Sequence, residues 1–142
     1  MIKILFVCHG NICRSPMAEF VMKDMVKKAG LSDRVCINSV AVSREEEGND
    51  LYPPARRELD RQGIPWEHRA ARIITQRDLD EYDRIYYMDA QNERYLKRMF
   101  GDMRKFSPLL PRNVADPWYT GDFYTTYQDI CEGCRRILEE IK

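Results

Sequence analysis

Neither sign of charge prevails in this chain: 23 Lys and Arg offset 23 Asp and Glu over 142 residues. A balanced surface lacks the electrostatic footprint of a nucleic-acid binder or of a protein drawn to anionic lipid. Long apolar runs are missing too. No stretch approaches the ~18 apolar residues that span a bilayer. The N-terminal run "IKILFV" is too short for a secretory core, and no small-residue cleavage site follows it. The expected setting is therefore the cytoplasm, with neither membrane nor nucleic acid as a partner. The length suits one domain, residues 1–142, with a core of its own, and a monomer is expected.

Histidine is scarce and the cysteines are odd in number: His9 and His68, against Cys8, Cys13, Cys36, Cys131 and Cys134. An odd count without a secretory signal argues against a disulfide framework. Cys131-Glu-Gly-Cys134 has the short spacing of a zinc pair, but no second Cys or His pair follows, and both histidines are far away in sequence. The pair reads more simply as two half-buried cysteines on a C-terminal helix. No metal and no cofactor are expected.

What is present is an alternation of strand and helix patterns. "IKILFV" (2–7) reads as a short buried strand. Residues 16–29 carry Met17, Phe20, Val21 and Met25 at helical spacing, with Gly30 as a stop. "RVCINSV" (34–40) is a second strand, and Pro53 and Pro54 open a helix that Gly63 ends. A short helix starts near Thr75. "DRIYYMD" (83–89) is a third strand, 90–100 a helix and "KFSPLL" (105–110) a short fourth strand. Residues 111–121 read as a loop and 122–141 as a final helix. The alternation predicts a doubly wound, flavodoxin-like α/β fold: a four-stranded parallel sheet with helices on both faces. In such folds ligands bind beyond the carboxyl ends of the strands, and Cys8 stands at one of these ends.

The stretch "FVCHGNICRSP" (6–16) concentrates the chemistry. A loop between a buried strand and a helix start points backbone N–H groups at one spot, where the helix dipole also favours an anion. Gly10 permits backbone geometry that a side chain would obstruct. Asn11 tolerates the left-handed region and can brace the loop through its carboxamide. Ser15 is a candidate N-cap and Pro16 suits the first helical position. Ser15 can also donate a hydrogen bond to a thiolate at Cys8, and the two roles are compatible. Such a cradle favours a thiolate at Cys8, and Arg14 offers a planar fork for two phosphoryl oxygens. A thiolate among anion donors is suited to attack on phosphorus. No Gly-Lys-Ser/Thr follows, so this is not a nucleotide-type phosphate loop.

At these residues the sequence resembles a family. "VCHGNICRSPMAE" is similar to the signature of low-molecular-weight protein tyrosine phosphatases, "DPWY" (116–119) to that family's second motif, and "HRAAR" (68–72) and "MDAQN" (88–92) to two further segments. The resemblance runs over nearly the whole chain. It implies metal-independent hydrolysis of protein phosphotyrosine through a cysteinyl-phosphate, with tyrosine-phosphorylated proteins as substrates. It implies Cys8 as nucleophile, Arg14 as transition-state clamp and Asp116 as general acid, with Asn11, Ser15, Ser39 and His68 supporting the loop.

Other residues are weighed on their own chemistry. His9, Gly10, Asn11, Ile12 and Cys13 are expected at the substrate, with Trp118 and Tyr119 flanking an aromatic ring. His9 follows the nucleophile directly and is read as a substrate contact rather than a base. Cys13 shares the loop and is the expected redox partner of Cys8. Asp89 is either a helix cap or the residue that orients Arg14. "REEEGND" (44–50) reads as a solvated loop, yet it departs from the aromatic wall residue found here in many members of the family. Glu45 takes that place, and Tyr52 is the alternative wall.

Three other functions remain. Arsenate reduction needs relay cysteines, and none lies between Cys36 and Cys131. An arginine phosphatase is expected to carry threonine four positions after the nucleophile, where this chain has Ile12. A non-catalytic phosphopeptide-binding module would not need Cys8, Arg14 and Asp116 together.

Overall fold

The computed structural model describes residues 1–142. Four parallel strands, β1 (Ile2–Cys8), β2 (Val35–Ala41), β3 (Arg84–Tyr87) and β4 (Phe106–Pro108), lie in the order β2-β1-β3-β4. The helices are α1 (Arg14–Lys28), α2 (Pro53–Arg61), α3 (Gln76–Glu81), α4 (Ala90–Phe100), α5 (Pro117–Thr120) and α6 (Phe123–Ile141). The doubly wound arrangement predicted from the alternation is the one observed. No helix is long and apolar enough to cross a membrane.

The continuous apolar run of β1 follows from its central place, because a strand covered on both faces has no solvent side to make polar. Side chains alternate across it. Ile4, Phe6 and Cys8 face one layer with residues of α1, α2 and α6. Leu5 and Val7 face the other with Tyr82, Leu96 and Phe106. Phe6 is fully buried, worth about 2–3 kcal/mol of apolar transfer. The chain leaves β1 towards β2 on one side and returns to β3 on the other. The carboxyl ends of β1 and β3 therefore border the crevice where the winding reverses.

Several boundaries differ from the sequence pattern. β1 continues through Cys8, which is in register with Ala41, so the cysteine is the last residue of the strand. α1 begins at Arg14, two residues ahead of the expected start. Ser15 is therefore inside the first turn and is not its N-cap. Cys13 occupies that place without a side-chain cap, so no side chain of the loop covers the first N–H groups of the helix. The segment expected to be loop before α6 contains one helical turn, α5. Its cap is Asp116, and Gly121 ends it at φ 72° in the left-handed region. The C-terminal Cys131 and Cys134 are buried rather than half-buried, Cys134 completely. Between them, a Cβ on Gly133 would stand 2.4 Å from Leu109 Cγ, so only glycine lets α6 approach the chain after β4 this closely.

Candidate active site

Residues 8–14 curl around a single point at the end of β1. Asn11 is the only non-glycine residue with positive φ, 61°, a conformation that costs on the order of 1 kcal/mol. The turn it makes aims its backbone N–H at Cys8 Sγ, 3.3 Å away. Its side chain is fully buried and its amide donates to Ser15 Oγ at 2.8 Å and Ser39 Oγ at 3.0 Å. Ser15 Oγ in turn lies 3.1 Å from Cys8 Sγ and 3.2 Å from Val40 O. The Cys8 thiol donates to that hydroxyl, and the hydroxyl in turn donates to the Val40 carbonyl. Ser39 Oγ donates to Glu19 Oε1 at 2.6 Å, and Glu19 Oε2 accepts from Lys23 Nζ at 2.6 Å. The network runs from the sulfur through the buried Ser39 and Glu19 and reaches the surface at Lys23.

Arg14 is 2% exposed. Its Nη1 donates to Asp89 Oδ2 at 2.8 Å and Val114 O at 3.1 Å, and its Nη2 to Asp116 Oδ2 at 3.3 Å. Burial opposes its charge, but Cys8, Asp116 and Asp89 around it outweigh burial and push its pKa up. Asp89 performs both tasks considered for it, since Oδ1 caps α4 on Asn92 N at 2.8 Å while Oδ2 holds Arg14. Asp116 is likewise shared: Oδ1 accepts from Trp118 N at 3.0 Å and Oδ2 meets Arg14.

These groups open on a cleft of about 330 Å³ whose lining includes Cys8, His9, Gly10, Ile12, Cys13, Arg14, Asp116, Trp118 and Tyr119. Asn11, expected at the substrate as well as in the loop's support, is fully buried: its side chain serves the support, and only its backbone N–H is directed at Cys8. Trp118 and Tyr119 are 55% and 84% exposed, standing at the rim. His9 faces the cleft with Nε2 3.0 Å from Glu45 Oε2 and its ring edge-on to Tyr95, turned away from any role as base to its neighbour. Burial pushes the Cys13 thiol up strongly, with Cys8 and Asp116 adding to it, so Cys13 keeps its proton.

Part of the lining is acidic: Glu45 and Glu46 both border the cleft. Tyr52 is not part of the lining; its ring centroid lies 5.1 Å from Trp118 and 6.2 Å from Phe123. The wall is therefore Glu45 and Glu46, and Tyr52 props the tryptophan.

One expected support is corrected. His68 has a side chain 75% exposed, bonded through Nδ1 to Asp50 and edge-on to Trp66. It does not reach the loop. Arg69 does, donating from Nη2 to both Asn11 O and Asn11 Oδ1. The residues before the Ala41–Ile73 bridge alternate in exposure: His68, Ala70 and Arg72 face out, while Arg69 and Ala71 turn in. Neighbours in such a segment point to opposite sides, so a shift of one residue decides which side chain meets Asn11. Sequence reasoning also missed Glu19, Glu46, Gln91 and Tyr95. Only Glu19 left a signal, as a carboxylate set between the apolar Met17, Ala18, Phe20 and Val21.

A thiol at a strand tip, backbone donors, a buried arginine and a capping aspartate in one cleft define the class of cysteine-dependent phosphoryl-transfer sites. The family model for low molecular weight phosphotyrosine protein phosphatases matches residues 3–142. The chain belongs to that family. It is 37% identical to the low molecular weight protein-tyrosine-phosphatase YfkJ of Bacillus subtilis, over 100% of this chain and 97% of that protein. The YfkJ crystal structure superposes with a TM-score of 0.95, covering 99% of this chain and 94% of that one. A low molecular weight protein tyrosine phosphatase from Streptococcus pyogenes, 39% identical, gives 0.94 over 100% and 94% of the two chains. A drosophila arginine phosphatase, 29% identical, gives 0.89 over 99% and 98%.

Proposed function

We propose that the protein hydrolyses phosphotyrosine in protein substrates through a phosphocysteine at Cys8. The observation that carries this reading is the convergence on Cys8 Sγ of the Asn11 N–H and the Ser15 hydroxyl, with the Arg14 guanidinium fixed by Asp89 in the same cleft. The phosphoryl group lies in the curl of the loop, its oxygens on backbone N–H groups and on Arg14. The Cys8 thiolate attacks phosphorus, the P–O bond to the aryl group breaks, and Asp116 gives its proton to the departing oxygen. Water then attacks phosphorus and passes a proton to the Asp116 carboxylate. Phosphate leaves, and Ser15 turns its hydroxyl to the returning thiolate. Nucleophile, clamp and acid all come from the chain, so chelators should leave the rate unchanged.

The depth of Cys8, 3% exposed beneath a rim of Trp118 and Tyr119, favours a phosphate carried on a ring over one on the short arm of serine. We expect phosphotyrosine peptides to exceed phosphoserine and phosphothreonine peptides by at least ~100-fold in kcat/KM, roughly 2.7 kcal/mol of transition-state discrimination. Comparable rates would defeat the reading. A phosphoarginine peptide belongs in the same panel. Glu45 and Glu46 offer carboxylates to a guanidinium, whereas the apolar Ile12 in the cleft offers it nothing. Turnover of phosphoarginine above that of phosphotyrosine would move the protein to the other substrate.

Cys13 supports a second property, recovery from oxidation. Peroxide converts the Cys8 thiolate to a sulfenic acid, which condenses with the Cys13 thiol to give a disulfide and water. Added thiol then reduces the disulfide. Wild type treated with peroxide should regain most of its activity with thiol, and Cys13→Ser should lose that recovery as Cys8 oxidises further. Equal recovery in both would show that Cys13 does not protect.

A further inference from the structure

The left-handed residue at the heart of the loop is held from behind. Arg69 closes one guanidinium nitrogen on both oxygens of Asn11, its carbonyl and its carboxamide, while Nη1 donates to Asn49 O at 3.3 Å. Its own backbone N–H is anchored on Asp50 Oδ1 at 3.1 Å, and Asp50 also bonds His68. With the carboxamide oxygen engaged, the amide nitrogen of Asn11 is forced towards Ser15 and Ser39, and the backbone N–H towards Cys8 Sγ.

The charge on Arg69 is as informative as its grip. Arg14 is bonded to two carboxylates. The guanidinium of Arg69 bonds only neutral oxygens, and no carboxylate pairs with it. Burial pulls its pKa down, while Glu19, Asp50 and Cys8 oppose that pull. A cation partly withdrawn from water and bonded to no carboxylate, one residue behind a loop shaped for anions, acts on whatever negative charge the loop holds. A guanidinium stays charged over the whole range in which proteins are folded, which an imidazole does not.

We propose that Arg69 is a positioning residue of the reaction: it locks Asn11 in its left-handed turn and places a permanent positive charge behind the loop, which keeps Cys8 a thiolate aimed into the cleft. The proposal rests on Cys8 being the nucleophile. It also gives His68 and Asp50 a task, that of fixing the segment from which Arg69 reaches in.

The experiment compares wild type with Arg69→Gln, Arg69→Lys and Arg69→His. The deciding measurement is the rate at which iodoacetate alkylates Cys8 as a function of pH, which needs no turnover. It is accompanied by kcat and KM for an activated aryl phosphate and by a thermal melt. Arg69→Gln retains a donor without the charge. The midpoint of Cys8 alkylation should move up by about half to one pH unit, and kcat/KM should fall about 10- to 100-fold, the scale seen when a metal-ligating side chain loses the partner that orients it. Arg69→Lys restores the charge without the two-oxygen grip, so the midpoint should return further towards wild type than kcat does. Arg69→His should add a pH limb. Only the imidazolium is charged, so the alkylation advantage should be present at low pH and lost as pH rises through about 6.5. An alkylation midpoint in Arg69→Gln unchanged from wild type overturns the proposal, even if the melt and the activity both fall. If Arg69→Gln does not fold, the missing limb in Arg69→His overturns it equally. Absent turnover in wild type, with alkylation still responding to residue 69, would strike the phosphatase reading and leave the coupling of Arg69 to Cys8 in place.

Discussion

A Cys8→Ser variant turns over aryl phosphates at less than about 1% of the wild-type rate while still binding inorganic phosphate. A hydroxyl at this position keeps its proton at neutral pH, and a protonated oxygen is a poor nucleophile. Activating it would take an adjacent base. The nearest imidazole, His9, is bonded to Glu45 and packed against Tyr95. The anion cradle survives the change, because its donors are the backbone of the loop, the first turn of α1 and Arg14. Turnover is followed with an activated aryl phosphate, and binding as the rise in melting temperature with phosphate concentration. Residual activity above 1% would place the nucleophile elsewhere. Lost phosphate binding would mean that Cys8 shapes the loop as well as reacting.

Replacing Asp116 by asparagine slows hydrolysis of esters with poor leaving groups by ~10²–10⁴-fold, the worth of a positioned general acid. Esters whose leaving groups depart readily without a proton lose much less. Asp116 also caps α5 through the Trp118 N–H and touches Arg14, so a structural contribution has to be separated from the chemical one. Asparagine does this, because it caps a helix as well as aspartate does but has no acidic proton to give. A series of substituted phenyl phosphates measures the effect as a steeper dependence of kcat/KM on leaving-group acidity. Equal loss across the series would assign Asp116 to holding Trp118 and Arg14 in place.

The legible part of the site is the part that is contiguous. Cys8, Gly10, Asn11, Arg14 and Ser15 fall within eight residues, and the apolar run before them leaves little choice about where the turn falls. Even there the helix boundary was misplaced. The sequence marked Ser15 as a cap from its type and its place before proline. In the structure its hydroxyl is taken by Asn11, Val40 and Cys8, and the helix begins earlier on Arg14. Asp116 was legible for a similar reason, as a turn residue before proline with aromatics behind it. Its bond to Arg14, 102 positions away in sequence, was not.

By itself the sequence determined the strand–helix alternation, the parallel sheet it implies, and the loop at the end of β1. These depend on periodicity, on proline and glycine, and on residues that are neighbours along the chain. Only the tertiary structure decided that Arg69 rather than His68 braces Asn11, that Glu19 ends the buried network, and that Glu45 and Glu46 rather than Tyr52 wall the cleft. The reason is geometric. In an extended segment successive side chains point to opposite sides. Which of two neighbours turns inward is set by how the segment is seated against β2, here at the bridge from Ala41 to Ile73, and spacing along the chain carries no record of that seating.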